Sequence, residues 1–187
     1  MSVVTPVDPD IAAATLHLHL KRFLRQLGRS NNFRLVELDR VTAVVAIRAA
    51  RANGTVEWFQ TLHNGSWYDL LPTQVSFVKR QDKSWVPATF GSRDYPLIAG
   101  SPTPTGSVSG TAPPFQFALH PDYQYPDGSK RQLVCFSHSY DYYISNHEPT
   151  EHQRWIQGTH TISATLTRLH EVLQPPHYQG PSDAHHP

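Results

Sequence analysis

Cys135 is the only cysteine in a chain of 187 residues, so no internal disulfide can form and its chemistry is that of a lone thiol. The thiolate is the reactive form. With a pKa of about 8.5, a few per cent is present at neutral pH, and sulfur is intrinsically nucleophilic towards carbonyl carbon. Two readings stand for Cys135: a small buried core residue, or a nucleophile that carries an acyl group. His138 follows shortly after it and is either a group that donates or shuttles a proton or a surface bystander. The chain holds 12 histidines, but none has metal-ligand spacing. His17 and His19 point to different sides of a helix, and His147 and His152 have no partnering cysteine pair. No metal and no cofactor are therefore expected. A glycine-rich phosphate loop is also missing, so the chain is not expected to adenylate anything itself.

The elements that must position Cys135 are legible around it. Asp8-Pro9-Asp10 supplies an N-cap, a proline at the first helical position and an acidic first turn. Leu16, Leu20, Phe23, Leu24 and Leu27 then recur at helical spacing until Gly28. Lys21, Arg22 and Arg25 lie on the opposite side, as a solvated face or as a docking patch for an acidic partner. Strands are predicted at Phe33–Leu38, Thr42–Ala49, Thr55–Leu62 and Gln74–Lys79, with turns at Asn53-Gly54 and Asn64-Gly65. Four strands on short turns make an antiparallel meander, and the first helix is its natural cover.

From Arg80 to Pro114 the sequence is loop-like, with a low-complexity stretch at Ser101–Pro114. Phe115–Leu119 is a candidate short strand and His120–Lys130 a polar stretch. Gln132–Phe136 is a short apolar run around Cys135, and Ser137–Arg154 reads as a loop or short helix. Ile162–Leu173 is a helix with Ile162, Leu166, Leu169 and Leu173 on one face, stopped by Pro175-Pro176. The fold class is α+β: N-terminal helix, four-stranded meander, catalytic-cysteine loop region, C-terminal helix. A single domain over 8–176 is expected, with a loop insertion at 80–114 and a flexible tail at 177–187.

Composition narrows the function classes. Sixteen Lys+Arg against fifteen Asp+Glu leave a net charge of +1, so no global field draws the chain to nucleic acid or an anionic membrane. No apolar run approaches the roughly 18 residues of a membrane span, and the N-terminus lacks the basic and apolar regions of a signal peptide. A soluble chain in a reducing, cytoplasmic compartment is expected.

Several segments together resemble the ubiquitin-conjugating enzyme family. Tyr68-Asp69-Leu70-Leu71-Pro72-Thr73-Gln74-Val75-Ser76-Phe77 is similar to that family's Y-P-F-x-P-P-x-V-x-F. Tyr68, Pro72, Val75 and Phe77 fall in register, with Asp69 and Thr73 in place of two prolines. His120-Pro121-Asp122 resembles the H-P-N tripeptide that precedes the catalytic cysteine. Cys135 takes the nucleophile's place, Trp155 resembles the following tryptophan, and Thr161-Ile162-Ser163 resembles the opening of the helix after it. The intervals from Phe77 to His120 and from Cys135 to Trp155 are longer than the family's.

The resemblance implies a transferase that accepts a ubiquitin-like protein from an activating enzyme as a thioester on Cys135. It then passes the modifier to a lysine of a protein acceptor. It further implies a bacterial member of a ubiquitin-like conjugation system, a kind found in antiviral defence operons. In this reading His120, Asp122 and His138 join Cys135 at the catalytic site. Lys21, Arg22 and Arg25 dock the activating enzyme, as the family's basic first helix does. Asp122 stands where the family's asparagine stabilises the oxyanion. An ionised carboxylate repels that charge, so Asp122 instead takes a proton from the incoming amine or merely caps a turn. Tyr140, Asp141, Tyr142, Tyr143 and Asn146 are placed to line the amine's approach or to act as packing. The alternative is a catalytically inactive binding module of the same fold that engages a ubiquitin-like protein or its activating enzyme. An unrelated cysteine hydrolase fits the order of elements less well.

Overall fold

In the computed structural model, which describes residues 5–26, 31–145 and 150–185, the first helix is α1, Pro9–Gln26. Its N-terminus is capped as the sequence predicts: Asp8 Oδ1 accepts the backbone N–H groups of Asp10 at 3.0 Å and Ile11 at 3.2 Å. Leu27 and Gly28, read as its end, lie outside the described residues, as do Asn146 and His147. The buried stripe of Leu16, Leu20 and Phe23 packs into one core with Ile162, Leu166, Leu169 and Leu173. Those residues belong to or follow α3, Ile162–Val172, whose N-cap hydroxyl on Thr161 accepts the N–H of Ser163.

The sheet has five antiparallel strands rather than four, in the order β1-β2-β3-β4-β5. They are β1 Phe33–Leu38, β2 Thr42–Ala50, β3 Val56–Asn64, β4 Gln74–Gln81 and β5 Ser84–Pro87. The Asn53-Gly54 turn joins β2 to β3, with Gly54 at φ 85°. The fifth strand forms because Asp82 adopts φ 53° and reverses the chain, pairing Lys79 with Val86. Trp85 and Pro87 then suit a short edge strand. Trp85 Nε1 and Arg80 both donate to Glu37 of β1.

The 80–114 segment therefore contributes strands rather than a loop insertion alone, and Tyr178–Pro181 of the expected flexible tail is a strand. Between them they form a second small sheet: β6, Pro96–Ile98, pairs with the last strand, β11, Tyr178–Pro181. Tyr95, Leu97, Ile98 and Tyr178 are buried, and this apolar burial holds the returning chain. The Tyr178 hydroxyl donates to Glu57 Oε2 at 2.6 Å, and Glu57 also pairs with Arg51. Between β6 and β11 come β7 Pro102–Thr103, β8 Gly106–Ser107, β9 Ala118–Gln124 and β10 Lys130–Cys135. A five-residue helix, α2 Tyr140–Ile144, follows β10.

The hairpin β9–β10 positions the cysteine. Its turn is made at Asp127-Gly128, with Gly128 at φ 84°, so the polar stretch after His120 is strand and turn. One face, bearing Leu119 and Val134, enters the main core. The other, bearing Leu133 and Cys135, makes a smaller cluster with Tyr125 and Tyr142. Gln132 locks the hairpin to the large sheet. Its Oε1 accepts Phe77 N–H at 2.7 Å, and its Nε2 donates to the carbonyls of Phe77 at 3.3 Å and Ala88 at 3.0 Å.

Candidate active site around Cys135

Cys135 ends β10 opposite Ala118, and Leu133 two residues before it pairs with His120. Side chains alternate along a strand, so Cys135 and His120 share one face of the hairpin. Both line an open surface pocket of about 250 Å³ together with Gln116, Phe117, Ala118 and Tyr142. Cys135 lines this pocket while only 7% exposed. Burial, reinforced by the carboxylate of Asp141, pushes its pKa up to about 11. Asp141 sits in α2, itself buried, and accepts Gln74 Nε2–H at 3.0 Å. Burial raises its carboxyl to about 6.

Asp122 does not join them. The pairing of β9 with β10 slips by one residue between Arg131 and Leu133, so Pro121 and Asp122 together face Gln132. Asp122 consequently lines a different pocket, with Pro87, Ala88, Lys130 and Gln132. It lies inside β9, so it caps no turn either. His138 is also elsewhere. Its ring packs against Phe136, Trp155 and His160, and its carbonyl accepts the Thr165 hydroxyl at 2.8 Å. Burial and the neighbouring His160 and Arg168 lower its pKa to about 4, which leaves a neutral ring at physiological pH. Of the four catalytic candidates, the structure brings Cys135 and His120 together and separates Asp122 and His138.

The aromatic segment after the cysteine is packing more than approach. Tyr140, Asp141 and Tyr142 are buried, Tyr140 stacks on Trp67 with ring centroids 4.1 Å apart, and Tyr143 donates to the Ser137 carbonyl at 2.9 Å. Of these residues, among those described, only Tyr142 reaches the pocket, where its hydroxyl donates to Gln116 Oε1 at 3.0 Å. Gln116 escaped the sequence reading. The Asp127-Gly128 turn signal, used to pair the two strands, would have brought the residues before β9 beside Cys135.

Three of the segments that carry the resemblance, those of Tyr68, Trp155 and Ile162, are in contact. Tyr68 is fully buried, and its hydroxyl accepts Ile162 N–H at 2.8 Å. Trp155 Nε1 donates to the Asp69 carbonyl at 2.8 Å. The Asp69 carboxylate accepts Gln157 Nε2–H at 3.3 Å and Gly158 N–H at 3.2 Å. Asp69 thus holds the turn between Trp155 and α3.

On α1, Lys21, Arg22 and Arg25 are exposed. Lys21 and Arg25 rim a groove of about 520 Å³ whose walls include Leu20, Leu24, Leu35 and Leu38; Arg22 stands outside it. Among the described residues there is no cluster of metal-binding side chains, and no helix is long and apolar enough to cross a membrane. No family model, curated protein or solved structure matches the chain.

Proposed function

We propose that this chain is a ubiquitin-conjugating-enzyme-like transferase that carries a ubiquitin-like protein as a thioester on Cys135 and delivers it to an amine. The observation that supports it best is the pairing of Cys135 with His120 in one open pocket. The contact of Tyr68 with Ile162 and that of Trp155 with the backbone next to Tyr68 add to it, since Tyr68, Trp155 and Ile162 are among the residues through which the chain resembles that family. The thiol's high pKa sets the chemistry. At pH 7 only about one molecule in ten thousand is thiolate, so the proton must leave as sulfur attacks. His120 is the base within the pocket. Cys135 Sγ bonds to the carbonyl carbon of the incoming thioester, the donor's carbon–sulfur bond breaks, and the proton passes through His120 to the departing thiolate. An amine then attacks the same carbon, the bond to Sγ breaks, and the proton shed by nitrogen returns to sulfur.

The groove beside α1 has the composition of a docking site for the activating enzyme, with apolar walls and a cationic rim at Lys21 and Arg25. A second reading, a non-catalytic module that only binds a ubiquitin-like protein or its activating enzyme, draws on the same burial of the thiol. Incubation with a ubiquitin-like protein, its activating enzyme and ATP separates the two. The carrier gives a covalent adduct that thiol reductant removes and that Cys135→Ala cannot form. Partner binding without any such adduct leaves the module reading standing.

A further inference from the structure

Both halves of an acyl transfer at Cys135 pass through a tetrahedral intermediate whose oxygen takes up negative charge, and a donor aimed at that oxygen lowers the barrier. Asp122 lies in another pocket and is a carboxylate, so it does not fill this role. Around Cys135, Phe117 and Ala118 bring no side-chain donor. The proton of Tyr142 is given to Gln116 Oε1 at 3.0 Å, and His120 is the ring placed to take the thiol's proton. Gln116 remains. It lines the same pocket, is exposed, and its Oε1 accepts the Tyr142 hydroxyl at 3.0 Å, which leaves its two amide N–H donors for another group in the pocket.

We propose that the Gln116 side-chain amide donates a hydrogen bond to the oxyanion formed on the Cys135-bound carbonyl, with Tyr142 as the positioning residue that holds the amide at the pocket. The inference rests on the thioester reading of Cys135. In forming the intermediate, the carbonyl π pair moves onto oxygen as Sγ or the amine nitrogen bonds to carbon. Gln116 N–H stabilises that pair without itself losing a proton. When the pair returns, the bond to the leaving sulfur breaks.

The test uses the full chain and a peptide ending in Gly-Gly as its mercaptoethanesulfonate thioester. Acylation of Cys135 and its discharge by hydroxylamine are followed by mass spectrometry. Gln116→Ala slows both steps by about tenfold, less than in a dry site because water reaches this pocket. Gln116→Glu is slower still. It keeps the acceptor for Tyr142 but sets a negative charge beside the oxyanion. Tyr142→Phe lowers the maximal discharge rate and leaves half-saturation by hydroxylamine unchanged. If Gln116 served only to hold Tyr142, the order would reverse, with Gln116→Glu matching the wild type and Gln116→Ala impaired. That result, or an unimpaired Gln116→Ala, overturns the assignment while the carrier reading survives. A wild-type chain that is not acylated, or acylation that persists in Cys135→Ala, removes both.

Discussion

The Tyr68 hydroxyl accepts the backbone N–H of Ile162 at 2.8 Å and meets His19 Nδ1 at 2.8 Å, so one buried oxygen joins α1, the loop before β4 and the first turn of α3. The first turn of a helix leaves backbone N–H groups without helical partners, and Tyr68 satisfies one of them from 94 residues away. The segments at Tyr68 and Ile162 therefore meet through a specific polar contact as well as shared burial.

Tyr68→Phe keeps the ring's packing and deletes that oxygen. The Ile162 N–H loses its partner in a place water does not reach, and the half-buried His19 ring loses one as well. Urea unfolding is expected to show a loss of about 1–3 kcal/mol, the usual cost of a buried group left unpaired. A loss within error of zero would mean the contact contributes nothing net.

Stability should also fall as pH drops below about 6.5, through two buried histidines. His63 is fully buried with both ring nitrogens engaged. Thr61 gives its proton to the Val45 carbonyl, so it accepts from His63 Nε2, and Nδ1 takes the Thr73 hydroxyl proton. Burial lowers its pKa to about 3, and that of His138 to about 4. Both bind their proton more readily unfolded than folded, so acid pulls the chain towards the unfolded state. Each contributes a slope of about 1.4 kcal/mol per pH unit between its two pKa values. Asp141, raised to about 6, has the opposite sign over nearly the same window and offsets one of them. Urea midpoints at pH 7, 6, 5 and 4.5 should decline steadily in the wild type and be nearly flat below pH 6 in His138→Phe, where only His63 is left against Asp141; a flat wild-type profile would show that His63 and His138 titrate normally.

The parts of this architecture that periodicity and turn chemistry encode were legible in the sequence. These include the Asp8 cap, the four strands from Phe33 to Gln81, the Asn53-Gly54 turn and α3. What escaped was non-local. Tyr178 and the Pro96–Ile98 strand are short apolar pieces flanked by polar and proline-rich sequence, and only their mutual pairing makes them strands. At the site, residue type points to Cys135 and the family resemblance to His120, but one slipped register decides that Asp122 faces Gln132 and not the thiol. A pattern of period two cannot report such a slip.

The C-terminal strand gives a sharp mutational handle at Gly180. This residue has φ 124°, a conformation that side chains resist, and a Cβ added there would sit 2.9 Å from the Arg51 guanidinium carbon. Gly180→Ala must either strain the backbone or displace Arg51 from its pair with Glu57, which also holds the Tyr178 hydroxyl. A loss of about 1–3 kcal/mol is expected. Proteolysis should report it as well, with cleavage near residues 174–180 accelerated in the variant; unchanged stability and digestion would show that β11 tolerates a side chain here.

The thiol itself offers the most direct check on the site's electrostatics. Iodoacetamide reacts with thiolate, so the alkylation rate of Cys135 traces its titration, with a midpoint expected near 11. Asp141 contributes to that elevation by its charge, and its own carboxyl titrates near 6. In Asp141→Asn the charge is gone while an oxygen remains to accept Gln74 Nε2–H, so packing is conserved. The midpoint for Cys135 should move down and alkylation at pH 8 should quicken. Stability at pH 7 should rise relative to pH 5, because an uncompensated buried carboxylate no longer has to be carried in the folded state. An unchanged midpoint for Cys135 would mean burial alone sets its pKa and that Asp141 lies outside its field.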